Sequence, residues 1–203
     1  MKKLSLTLTA AVLASTLATG CAPLLIGGAM MGGVSVATDR RTSGAQLEDQ
    51  TIEVKAGARV REQLGEKVHV SINSYNRTVL ITGEANSEEA RARLDGIVSG
   101  VENVQKVLNE VEVLAASSLS SRANDTVIAG KVKAQFIDAR DLMSNAFYVV
   151  VERSQVYLMG RVTEREAARA TEIVRQVSGV KKVVRAFEII SEDELAQTLP
   201  KKS

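Results

Sequence analysis

One feature limits what this chain can fold into more than any other: most of it is written twice. Residues 51–114 align with residues 124–190. Val79-Leu80-Ile81-Thr82-Gly83 matches Val156-Tyr157-Leu158-Met159-Gly160, and Glu88-Glu89-Ala90 matches Arg165-Glu166-Ala167. Ser99-Gly100-Val101-Glu102-Asn103-Val104 matches Ser178-Gly179-Val180-Lys181-Lys182-Val183. Solenoid repeats are shorter and need three or more copies, so two copies of this length are duplicated domains.

Within each copy the apolar period changes in the same order. A helical spacing comes first: Ala56, Val60 and Leu64 in one copy, Ile128, Val132 and Phe136 in the other. Alternation follows, Val68, Val70 and Ile72 against Phe147, Val149 and Val151, then a polar turn and a second strand that ends on Gly. An amphipathic helix (Ala90, Leu94, Ile97, Val98; Ala167, Ala170, Val174, Val177) and a third strand complete the unit. The order is αββαβ, and the fold class is α+β: two tandem units, each a three-stranded mixed sheet covered by two helices. Units of roughly 65 residues are marginal alone, so packing of one on the other is expected. The second unit carries about five extra residues around Asp138 to Ala146, and residues 115–123, with Ser-rich SSLSS, read as the linker. Residues 191–203 form a polar tail, in which Glu192 to Leu199 has the pattern of a short helix.

The N-terminus gives the address. Lys2 and Lys3 precede an uncharged apolar stretch, Leu4 to Leu17, of secretory-signal length and too short to span a bilayer. It ends at Leu17-Ala18-Thr19-Gly20-Cys21, which resembles the lipobox of bacterial lipoproteins, with Ala18 where Leu is usual. That resemblance implies a signal peptide over residues 1–20 and an acylated Cys21 (palmitate) as the first mature residue. The covalent lipid is the only non-protein group expected, with no other cofactor and no metal. Several acyl chains at about 0.8 kcal/mol per buried CH₂ make a stable anchor. Ala22 stands where Asp retains such lipoproteins at the inner membrane, which implies transfer to the outer membrane, facing the periplasm. Residues 21–50, Gly-rich and then polar, read as a flexible tether.

The strand ending in Gly, the Ser/Thr-x-x-x-Ala helix start and the Gly-Val-x-x-Val before the last strand resemble BON modules. Two copies behind a lipobox, with Ala37-Thr38-Asp39-Arg40-Arg41-Thr42-Ser43-Gly44, Asn124-Asp125-Thr126 and Val162-Thr163-Glu164-Arg165-Glu166-Ala167, resemble the dual BON-domain outer-membrane lipoproteins. The resemblance implies a non-enzymatic periplasmic protein that binds anionic phospholipid and supports outer-membrane integrity.

Charge directs attention to one unit. Residues 51–114 hold eight basic and ten acidic residues, residues 124–190 eleven and eight. Basic residues gain about 1 kcal/mol each at an anionic surface. Aligning the core positions puts Lys55 opposite Val127, Arg61 opposite Lys133 and Gly65 opposite Ile137. Val127 and Ile137 then lie off the core stripe, among Lys131, Lys133 and Arg140, a pattern suited to dipping into headgroups while the cations meet phosphate. The resemblance also places lipid contact on this helix, with an aromatic where Val127 stands. The alternative for Val127 and Ile137 is packing against the first unit.

Other chemistries find little support. One Cys excludes a disulfide scaffold or a cysteine zinc site, and one His, His69, alternates outward on a strand. Net charge +2 is unlike a nucleic-acid binder. Glu88-Glu89 and Glu164 with Glu166 sit at helix starts, where they suit the macrodipole. No small-molecule substrate is implied. The competing reading is a protein-interaction adaptor for outer-membrane assembly or envelope stress response, binding through an exposed sheet face.

Overall fold

The computed structural model describes residues 39–198. The signal segment, Cys21, the stretch up to residue 38 and the end of the tail lie outside the described residues. The first unit runs α1 (Ser43–Leu64), a 3₁₀ turn (Gly65–Lys67), β1 (Val68–Tyr75), β2 (Thr78–Ala85), α2 (Glu88–Ser99), β3 (Lys106–Asn109) and β4 (Glu112–Val113). The second runs α3 (Leu119–Asp138), a 3₁₀ turn (Ser144–Ala146), β5 (Tyr148–Glu152), β6 (Gln155–Val162), α4 (Glu164–Arg175) and β7 (Lys182–Ile189), followed by α5 (Glu192–Thr198). β2 pairs antiparallel with β1 and parallel with both β3 and β4. β6 pairs antiparallel with β5 and parallel with β7. The second unit is therefore αββαβ, and the first has the same order with its last strand broken into β3 and β4.

Two helices start earlier than the apolar period suggests. α1 begins inside the stretch read as tether, because the Thr42 hydroxyl caps it by accepting from the Ala45 N–H at 3.1 Å. α3 begins inside the stretch read as linker, capped by Ser118 through the Ser121 N–H at 3.2 Å. The first turns of both are polar and carry no period to read, so only the caps mark them. In the tail, α5 buries Leu195 and places Glu194 2.5 Å from Arg161.

Strand alternation sorts the side chains into three cores. Val79 and Ile81 of β2 meet Ile52, Ala56 and Val60 of α1 and Leu94 and Val98 of α2. Val156 and Leu158 of β6 meet Ile128, Val132 and Phe136 of α3 and Val174 of α4. The residues between them point the other way. Leu80 and Tyr75 pack against Tyr157, Met159 and Ala186, joining the two sheets face to face. The layers are helices, sheet, sheet, helices. The sheet face that the adaptor reading would use is not exposed: it is the third core.

Each unit repeats one polar device. The β1–β2 turn holds Asn76 and Arg77 at φ 48° and 64°, and the β5–β6 turn holds Arg153 and Ser154 at 49° and 64°. Such turns suit the twist of a hairpin but leave their N–H groups pointing inward. Buried Asp49 of α1 accepts from the N–H groups of Asn76 (2.7 Å) and Arg77 (2.8 Å) and from the Ser74 hydroxyl (2.7 Å). Asp125 of α3 does the same for Arg153 (2.9 Å) and Ser154 (2.7 Å). Asp49 and Asp125 are thus equivalent, which aligns Thr51, and not Lys55, with Val127, and Lys55 with Lys131. The alignment by core positions is one helical turn out, and the five extra residues it puts around Asp138 to Ala146 reduce to one, because His69 and Ala146 occupy the same place beside Gly83 and Gly160. A slide of four residues keeps a 3.6-residue stripe nearly in place, so apolar spacing does not distinguish the two registers.

The chain before α1 bridges the units. Arg40 donates to both oxygens of Glu166 on α4, at 2.7 and 2.8 Å, and to the Arg161 carbonyl at 2.9 Å; the two side chains are 4% and 5% exposed. Arg41 reaches Asp49 at 2.8 Å and lies 4.1 Å over the Tyr75 ring. Glu166 also closes the capping box with Thr163. Burial acts to raise the Glu166 carboxyl, but hydrogen bonds from Arg40 and the Thr163 N–H, with the charge of Arg40, hold it below its ordinary value of 4.5.

Gly83 sits at φ +116°, and a Cβ there would fall on the His69 carbonyl oxygen, whereas a Cβ at Gly57 meets nothing within 4 Å. In urea titrations Gly83→Ala is expected to lose at least about 2 kcal/mol, and Gly57→Ala to gain about 0.5–1 kcal/mol. Arg40→Ala is expected to lose about 3–5 kcal/mol by stranding Glu166. Its pH dependence also weakens. The lowered wild-type carboxyl stabilises the fold above about pH 4.5 and stops doing so as pH falls through its folded value. In the variant only the Thr163 N–H and the charge of Arg165 still oppose burial, so less stability is gained as pH rises past that point.

Candidate lipid-facing surface

α3 is held by its inner side. Asp125 grips the hairpin turn, and Ile128, Val132 and Phe136 enter the core, Phe136 stacking on Phe147 with centroids 4.9 Å apart. Among the described residues nothing covers the opposite side. Val127 is 55% exposed and Ile137 72% exposed, so neither packs against the first unit. Leu119, at 79%, continues the same line. Exposed Ala123, Gly130 and Ala134 fill the intervals. These residues are spaced by four or three positions, which at 3.6 residues per turn keeps them on one side of the helix. The result is an uncharged, apolar or small stripe along five turns of exposed helix.

Cations border it. Lys131 and Lys133 fall on either side of the stripe, and Arg140 follows the helix end, all exposed. Lys131 Nζ lies 3.4 Å from the Ser178 carbonyl of the turn before β7. Among the described residues none of these three cations forms an ion pair. The structure therefore brings Val127, Lys131, Lys133 and Ile137 onto one accessible face, with Arg140 just past its end. Sequence reasoning missed Leu119, because it lay in the stretch read as linker. The signal was present, since Leu119, Ala123 and Val127 are four apart behind the Ser118 cap. The equivalent side of α1 exposes Leu47 and Val54 but is crossed by Arg61.

His69 has a structural setting. Its side chain is half exposed, with Nδ1 3.3 Å from Glu84 and Nε2 3.3 Å from Arg122. Glu84, 1% exposed on the sheet-facing side of β2, accepts from Arg153 Nε at 2.6 Å, and Arg153 also donates to the Ala115 carbonyl at 2.6 Å. The group ties the second unit's hairpin turn to the first unit's sheet. Among the described residues no cluster of three His, Cys, Asp or Glu side chains is arranged to hold a metal ion. None of the described helices is long and apolar enough to cross a membrane.

The BON domain profile matches residues 48–115 and 124–191, the two units seen in the fold. The chain belongs to the BON domain family. It is 33% identical over 193 residues to the outer membrane lipoprotein DolP of Haemophilus influenzae, covering 94% of this chain and 97% of that one. It is 25% identical to a 21 kDa hemolysin of Actinobacillus pleuropneumoniae, covering 75% and 79%, and 28% identical to the osmotically-inducible protein Y of Escherichia coli, covering 89% and 94%. This BON protein is a dual-domain outer-membrane lipoprotein, and the names of these relatives specify no catalysed reaction.

Proposed function

We propose that this BON lipoprotein is anchored by acylated Cys21 and binds anionic phospholipid through the outer face of α3, and that this contact supports outer-membrane integrity. The observation that carries the reading is the uncharged stripe from Leu119 to Ile137, exposed along its length and bordered by Lys131 and Lys133. An amphipathic helix lying at an interface needs this arrangement: apolar side chains at headgroup depth and cations at the phosphates. Val127 and Ile137 supply the insertion, Lys131, Lys133 and Arg140 the attraction. The side chains are short and carry no aromatic ring, so the contact is shallow. A shallow contact suffices, because an anchored chain meets the bilayer as an intramolecular partner at high effective concentration.

Sedimentation of the chain from Thr38 onward, which contains all three cores, with phosphatidylglycerol vesicles separates this contact from the anchor. Val127→Glu with Lys131→Glu is expected to weaken binding about tenfold or more while leaving the urea midpoint unchanged. Unchanged sedimentation would refute the reading.

A further inference from the structure

The two copies differ in one place that is filled in the second and open in the first. A groove of 320 Å³ runs between α1 and β1, lined by Val60, Val68, Val70 and Ile72, by Gly57 and Gly65, and by the charged Glu53 and Arg61. The equivalence of positions is set by two independent contacts. Asp49 and Asp125 hold the same turn, which pairs Val60 with Phe136. A Cβ on Gly83 would meet the His69 carbonyl and one on Gly160 the Ala146 carbonyl, which pairs Val70 with Phe147. In the second unit Phe136 and Phe147 are in ring contact inside the core. In the first unit the same two positions are valines, and the space the rings would take is a groove open to solvent.

The strand beside it is an unpaired edge. Among the described residues β1 pairs only with β2. The Ser74 N–H points away from β2, because it donates to Glu53 of α1 at 2.8 Å. Backbone groups alternate along a strand, so the N–H and C=O groups of Val68, Val70 and Ile72 face the same open side. These are the residues whose side chains line the groove. Glu53 satisfies the donor at Ser74 and so ends the free edge there.

We infer that the first unit binds an extended segment of a partner protein, which adds as a strand along β1 and places an aromatic side chain in the groove. The open edge supplies the main-chain hydrogen bonds, and the groove selects the side chain. The fold itself names the occupant, since its second copy seats phenylalanine rings at those positions. This surface is separate from α3 and does not depend on the lipid reading.

The test uses the full-length protein in phosphatidylcholine nanodiscs and a fluorescein-labelled seven-residue peptide that alternates Thr and Val around a central Phe. Expected are saturable anisotropy, methyl shifts confined to Val60, Val68, Val70 and Ile72, and binding about tenfold weaker when Asp replaces the central Phe. Val60→Phe with Val70→Phe, which copies the second unit, is expected to abolish binding. Gly57→Glu, whose side chain starts in open space at the groove wall, should do the same without touching the core. Absence of binding, equal binding by the Asp peptide, or binding unaffected by Gly57→Glu would overturn the inference. So would shifts of the Val70 methyls on adding phosphatidylglycerol to the discs without peptide, which would mark an acyl-chain site.

Discussion

The contact on which everything else depends is sheet against sheet. Tyr75 and Leu80 from one unit and Tyr157, Met159 and Ala186 from the other are buried between them. Neither unit is large enough to be secure alone, and each removes the apolar inner face of its neighbour from water. With those faces consumed, the helices are left outermost, and α3 can show a side to its surroundings only because the rest of its unit faces inward. The surface read as functional is thus a consequence of how the duplicate copies dock.

Polar contacts specify that docking. Arg153 of the second unit's turn enters the first unit's sheet at Glu84 (2.6 Å), and Asn76 of the first unit's turn donates to Glu188 of β7 (2.6 Å). Each hairpin turn is held from inside by its own aspartate and used outside to grip the other unit. Arg40 and Arg41 add a third tie, one to each unit, just ahead of α1. The two copies also differ. The second has Phe136 and Phe147 in its helix–strand gap and an uncharged line on its outer helix. The first has Val60 and Val70 in the gap and Arg61 across the corresponding line.

Much of this was legible from residues. Alternation in the first strand of each unit (Val68, Val70, Ile72; Phe147, Val149, Val151), and the 3.6-residue stripes of the four main helices, carry the αββαβ order, and the outward position of Val127 and Ile137 follows from the stripe of α3. What was not legible has physical causes. Sliding a helix by one turn preserves its stripe, so the pairing of Lys55 with Val127 looked as good as the true pairing, and only the role of Asp49 and Asp125 decides. Polar first turns hid the starts of α1 and α3. The unbroken apolar runs Val79-Leu80-Ile81 and Val156-Tyr157-Leu158-Met159 mark strands covered on both faces, but not that each sheet covers the other. The bond from Arg40 to Glu166 spans most of the folded chain, and nothing local in either residue announces it.

The most direct measurement is a depth profile of the outer helices in the acylated protein. Cys21 is the sole cysteine, so spin labels can be placed singly by Leu119→Cys, Val127→Cys, Ile137→Cys, Gln135→Cys and Val54→Cys, and their accessibility to oxygen and to a water-soluble relaxant compared in phosphatidylglycerol vesicles. Labels at 119, 127 and 137 should enter the bilayer together while those at 135 on the flank of α3 and at 54 on α1 stay in water. Equal immersion of all five, or immersion of 54 alone, would contradict an α3 face turned to the membrane by the packing of the two sheets.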